Sequence, residues 1–133
     1  MSFAVHFSSR SDRWATPNDL FRSLDAEFHF DFDPCPMDGT QDGTARLLNS
    51  WSGRRVFCNP PYGPGIRKFL DCARDAELAV FLLPARTDTR WFHEQVLGQA
   101  SEIRFCKGRL RFGDAINAAP FPSMIVIFKR IAQ

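Results

Sequence analysis

Metal chemistry has little to work with in this chain. The four cysteines, Cys35, Cys58, Cys72 and Cys106, are widely spaced and include no C-x-x-C pair. Zinc spacing is therefore absent, and reduced core thiols are expected. The three histidines, His6, His29 and His93, form no H-x-x-x-H, so no metal site is assigned. No apolar run approaches the length of a membrane span, and no basic-then-apolar leader opens the chain; a soluble intracellular, cytoplasmic protein is expected. Charge of one sign is also scarce. The net charge of +2 is too small to imply nucleic acid by itself, although its distribution is uneven. Residues 1–100 carry 11 Lys/Arg against 13 Asp/Glu, whereas 101–133 carry 6 against 2, so the positive excess lies in the last third. Repeats and linkers are missing too, which predicts one domain over 1–133, with 1–13 as a loosely held arm. Tyrosine is nearly absent, one residue against fourteen Phe.

That single tyrosine closes the most informative stretch, Asn59-Pro60-Pro61-Tyr62 followed by Gly63-Pro64-Gly65. Arg55-Val56-Phe57-Cys58 before it reads as a short buried strand. Two adjacent prolines lack N–H groups and fix φ near −65°, so the ladder must stop at Asn59. In open α/β sheets, ligands sit at the carboxyl ends of strands. Asn59 offers an amide with both donor and acceptor, and Tyr62 an aromatic face. With the proline carbonyls they suit a planar group carrying an exocyclic –NH2. The plainer alternative is a proline-rich turn with Tyr62 as a half-buried anchor.

Earlier in the chain, Trp14-Ala15-Thr16-Pro17-Asn18-Asp19 opens a helix over roughly 17–28. Thr16 suits the N-cap, Pro17 the first helical position and Asp19 the third. Trp14 reads either as a hydrophobic staple or, with Thr16 and Pro17, as the wall of a ligand pocket. His29-Phe30-Asp31-Phe32-Asp33 alternates and stops at Asp33-Pro34-Cys35-Pro36, a second strand end marked by a polar residue and proline. If these strands are parallel neighbours, Asp33 and Asn59 face one crevice, where Asp33 accepts hydrogen bonds from an amine or a ribose hydroxyl. Alternatively, Asp33 only caps its turn.

Residues 37–54 read as a long loop with a helical turn near Thr44–Leu48. Gly65–Ala76 is expected to be helical, and Glu77–Leu83 a central parallel strand stopped by Pro84. A further helix is expected from about Asp88 to Leu97. Three strands then follow, Glu102–Phe105, Leu110–Phe112 and Met124–Phe128, which makes a small α/β domain with a C-terminal β-meander.

Taken together, these segments resemble the phage-type DNA N6-adenine methyltransferases, within the S-adenosylmethionine-dependent amino-methyltransferase class. The similarity spans about Ser11 to Phe128. It rests on the order of the blocks: Trp14-x-Thr16-Pro17, Asp33-Pro34-Cys35, Asn59-Pro60-Pro61-Tyr62, Leu82–Thr89, Gly108–Phe112 and Ala119–Met124. The resemblance implies a compact, reduced Rossmann-like methyltransferase sheet with flanking helices, S-adenosyl-L-methionine as cofactor and DNA as substrate. It implies Asn59, Pro60, Pro61 and Tyr62 as catalytic residues, and Trp14, Thr16, Pro17, Asp33, Pro34, Cys35 and Asn59 as cofactor-binding. Arg86, Arg90, Lys107, Arg109 and Arg111 are candidates for phosphate contacts. Two departures stand out. No G-x-G loop follows the first strand, and the Asp33–Asn59 interval is short, leaving Asp38 and Asp42 as alternatives for the ribose. No separate target-recognition domain is present, so specificity falls to loops or to a second subunit, as in a homodimer. The tetrapeptide alone also suits a guanine amino group in RNA or a glutamine amide in protein. A catalytically silent nucleic-acid-binding module is the reading from a different class.

Overall fold

The computed structural model describes residues 14–36, 51–113 and 118–130. The expected arm 1–13, the helical turn near Thr44–Leu48, and Asp38 and Asp42 lie outside them. Helix α1 (Asn18–Phe28) buries Leu24 and Phe28 and has Phe21 against the core. Its N-cap is Pro17, without a side-chain capping bond. The expected cap, Thr16, directs its hydroxyl elsewhere, as described below. At the other end, His29 turns into the left-handed region at φ 55°. The Arg55 guanidinium donates to the Phe28 carbonyl at 2.6 and 2.8 Å and pairs with Glu77 at 2.6 Å. A cation there satisfies a terminal carbonyl and opposes the negative end of the helix dipole.

Strand β1 (Arg55–Cys58) runs parallel to β2 (Leu78–Pro84). Between them come α2 (Ile66–Cys72) and a 3-10 turn (Ala73–Asp75), which together occupy the span expected for one helix. Strands β3 (Glu102–Phe105) and β4 (Ser123–Lys129) complete a four-stranded sheet of order β1-β2-β4-β3, with β4 antiparallel to both neighbours. Every residue of β2 is buried, as its unbroken apolar run requires of a strand covered on both faces. The α/β class is thus as expected.

Three expected elements differ in detail. The strand over 29–33 is reduced to a parallel bridge between Phe32 and Val56 beside β1. His29 at positive φ and an Asx turn at Asp33, whose Oδ1 accepts the Cys35 N–H at 2.9 Å, shorten it from both ends. Leu110–Phe112 lies outside the sheet, because Gly108 at φ 73° turns the chain away and Phe112 drops into an aromatic cluster. The expected three-strand meander is therefore an antiparallel β3–β4 pair with a long connection. The helix expected over 88–97 widens instead into a π-helical segment, Phe92–Val96, closed by Leu97 N–H to Phe92 C=O at 2.8 Å. No helix among the described residues is long and apolar enough to cross a membrane.

Candidate active site

Parallel strand pairing brings the proline-stopped ends to one edge. The β1 ladder stops with Cys58 opposite Phe81, and Phe32 bridges Val56 in the same direction. Asp33, Asn59 and Ala85 therefore all leave the carboxyl edge of the sheet. Because β3 runs antiparallel to β4 and β4 antiparallel to β2, the carboxyl end of β3 also reaches this edge. All five basic candidates, Arg86, Arg90, Lys107, Arg109 and Arg111, belong to the segments leaving β2 and β3 there.

Asn59 is buried, at 5 % exposure. Its Nδ2 donates to the Trp14 carbonyl and to Thr16 Oγ1, the latter at 2.9 Å. Its Oδ1 is buried with no partner among the described residues. An unsatisfied buried acceptor costs about 1–3 kcal/mol. An arriving amino group would remove that penalty.

Tyr62 follows the plainer alternative. It is 2 % exposed and donates its hydroxyl to the Leu82 carbonyl at 3.0 Å, one residue beyond the point where the β1–β2 ladder ends. Its ring meets Phe121 and Phe112 edge-on, with centroids at 5.7 and 6.4 Å. Burial pushes the phenol well above the ordinary tyrosine value, and the nearby Arg86 charge only partly opposes this. Tyr62 is thus a neutral anchor that ties the proline loop to β2, and its face is covered in this arrangement. Tyr62→Phe removes one buried hydrogen bond while keeping the ring. Urea denaturation should register a loss of about 1 kcal/mol.

Beside Asn59 lies a cavity of about 380 Å³ lined by Ala15, Thr16, Asn18, Phe21, Asp33, Cys35, Phe57 and Gly113. Small-molecule sites run from about 300 to 1,000 Å³. Of the cofactor candidates, Thr16, Asp33 and Cys35 face this cavity. Trp14 and Asn59 stand behind Thr16, while Pro17 and Pro34 shape the adjoining backbone without lining it. Phe21 and Phe57, whose centroids are 5.1 Å apart, supply apolar wall that suits a purine. Asp33 supplies an acidic acceptor for a hydroxyl or an amine. Ala15, Asn18, Phe21, Phe57 and Gly113 carried no signal in the sequence, because helix and strand periodicity alone accounts for the two aromatics. The acidic acceptor and apolar surface fit S-adenosylmethionine. A larger cavity of about 840 Å³, lined by Leu70, Arg74, Gln95 and Lys129 among others, opens at the opposite end of the sheet. It holds none of the motif residues, and charged surface side chains shape it.

The basic residues at the carboxyl edge are unequal. Arg86 is exposed and lies over the Phe121 ring at 5.6 Å. Arg90 pairs with Glu94 at 3.3 Å, and Glu94 also takes Arg67 at 2.7 Å. Both arginines hold the Glu94 carboxyl below its usual range, Arg67 more strongly. Lys107, Arg109 and Arg111 are exposed. Cys58 lies beside Cys35, and burial pushes its thiol well above the ordinary value, which makes it an inert packing group rather than a nucleophile. Among the described residues no cluster of His, Cys, Asp or Glu could hold a metal ion.

A family model described as DNA N-6-adenine-methyltransferase (Dam) matches residues 5–133. No curated protein and no solved structure matches the chain.

Proposed function

The chain belongs to the DNA N-6-adenine-methyltransferase (Dam) family, and from that premise we propose that it transfers a methyl group from S-adenosylmethionine to N6 of adenine in DNA. One observation carries this reading at the level of atoms: the buried Oδ1 of Asn59 at the end of β1, without a partner among the described residues.

The N6 lone pair of adenine is delocalised into the ring, so the amine is a poor nucleophile. Asn59 Oδ1 and the Pro60 carbonyl accept the two amino protons and favour the pyramidal geometry in which the lone pair can attack. They also stabilise the positive charge that develops on the nitrogen as it takes the methyl from the sulfonium, which leaves as a neutral thioether, and one N6 proton is then lost to solvent. When bound, the cofactor supplies an electrophilic methyl group. Thr16, Asp33 and Cys35 would hold it in the cavity beside Asn59, with Phe21 and Phe57 as apolar wall. Pro61 keeps the loop extended, and Tyr62 anchors it from beneath.

The base must leave the duplex to reach this edge, at roughly a few kcal/mol. Stacking on Tyr62 would require Phe112 and Phe121 to move aside. Arg86, Lys107, Arg109 and Arg111 are assigned to backbone phosphates, with Arg90 joining them when it leaves Glu94.

Labelled S-adenosylmethionine offered with DNA, RNA and protein acceptors side by side tests the proposal. Label should enter adenine-containing DNA and be recovered as N6-methyladenine. RNA labelled in preference to DNA, or no incorporation in any acceptor, would overturn it.

A further inference from the structure

We propose that Thr16 is a positioning residue for Asn59, fixing which end of its carboxamide faces the substrate. This rests on the reading that Asn59 acts on the amino group.

An asparagine amide has two nearly isosteric ends, one donating and one accepting. Only the acceptor can serve an –NH2 proton, so a flipped amide would present the wrong group. The Trp14 carbonyl can only accept, and therefore the nitrogen must face it. Thr16 Oγ1 takes the second Nδ2 proton at 2.9 Å. With both amide protons engaged on one side, Oδ1 is left on the other, buried and without a partner among the described residues.

A second observation sets Thr16 apart from an ordinary helix cap. It stands where an N-cap is expected, yet α1 starts from Pro17 with no side-chain capping bond. Thr16 lies one residue before that cap, outside the position whose side chain bonds the helix's free N–H groups. Here its hydroxyl serves Asn59 instead.

The segment bearing Thr16 is itself held on both sides. Gly113 N–H donates to the Ala15 carbonyl at 2.8 Å, and a Cβ on Gly113 would lie 3.1 Å from Ala15 Cβ. The Trp14 ring packs edge-on against Phe112 and Phe121, with centroids at 5.5 and 5.2 Å. Residues 14–16 thus form a brace between the 112–113 segment and the proline loop.

Thr16→Val keeps the shape and removes the acceptor, whereas Thr16→Ser keeps it. The valine variant should lose roughly 10- to 100-fold in kcat, the scale of a misplaced reacting group. The fall in kcat should exceed any rise in its calorimetric Kd for S-adenosylmethionine, since Thr16 also lines the cofactor cavity. Thr16→Ser should restore kcat. A signature independent of activity comes from heteronuclear NMR of the free protein. The Asn59 Nδ2 protons should exchange slowly in wild type compared with those of exposed Asn18, and faster in Thr16→Val. A valine variant with wild-type kcat, or one that weakens cofactor binding and leaves kcat alone, overturns the assignment. So do fast-exchanging Asn59 amide protons in wild type, which decides the matter even if the valine variant fails to fold. Wild-type protein that methylates no acceptor defeats the methyltransferase reading. Active wild type with an equally active valine variant defeats only the brace.

Discussion

Replacing Asn59 with alanine is expected to lower methyl transfer to adenine by about 10²–10³-fold, the scale for deleting one preorganised electrostatic partner of a reacting group. On the proposed mechanism the loss should fall on kcat, because the acceptor would act where positive charge develops on the amine and not on the bulk of the DNA. Stability should move little, since two changes oppose each other. Truncation discards the Nδ2 bonds to the Trp14 carbonyl and Thr16 Oγ1, each worth about 1 kcal/mol net. It also removes the unsatisfied Oδ1, whose burial costs about 1–3 kcal/mol. A loss of activity without a loss of stability is the mark of a group kept for function. Single-turnover methylation and urea denaturation on the same preparation separate the two. Undiminished incorporation by Asn59→Ala would sink the assigned role.

The largest stability effect is expected at Phe81→Ala. Phe81 is fully buried at the centre of β2, with the Trp51 and Phe128 rings each 5.7 Å away. Truncating a buried Phe typically costs about 3–5 kcal/mol through lost transfer energy and the cavity left behind. A whole domain is stable by only about 5–15 kcal/mol, so this one change should remove a large fraction of the total. Leu97→Ala is the matched control. Leu97 is 51 % exposed, and its substitution should stay within about 0.5 kcal/mol. Paired thermal melts check both, and equal midpoints would contradict the assignment of Phe81 to the core.

Several features were legible before the fold was known because they are local. Proline lacks the ladder N–H, so Pro60 marks the end of β1 and Pro84 is the last residue of β2. The unbroken apolar run before Pro84 suits a covered central strand, and β2 is one, parallel to β1 but antiparallel to β4. Helical spacing of Leu20, Phe21, Leu24 and Phe28 likewise placed α1. Other features were hidden because competing partners lie far away in sequence. Leu110–Phe112 has strand composition, yet Phe112 leaves the sheet to meet Trp14 and Tyr62. Tyr62 offered an aromatic face on paper, but its hydroxyl found the Leu82 carbonyl and its ring went into the core.

The stop at Asn59 and the placing of α1, β1 and β2 follow from local chemistry alone: missing N–H groups, a fixed φ and apolar periodicity. The direction in which the Asn59 amide points does not. It depends on a carbonyl and a hydroxyl more than forty residues upstream, brought beside it only when α1, the Phe32 bridge and β1 pack together. The cavity beside Asn59 depends on the same packing, since its walls come from the start of α1, the turn holding Asp33 and Cys35, Phe57 and Gly113. Local sequence sets what a residue can offer; which partner takes the offer is decided by chain segments that meet only in the folded state.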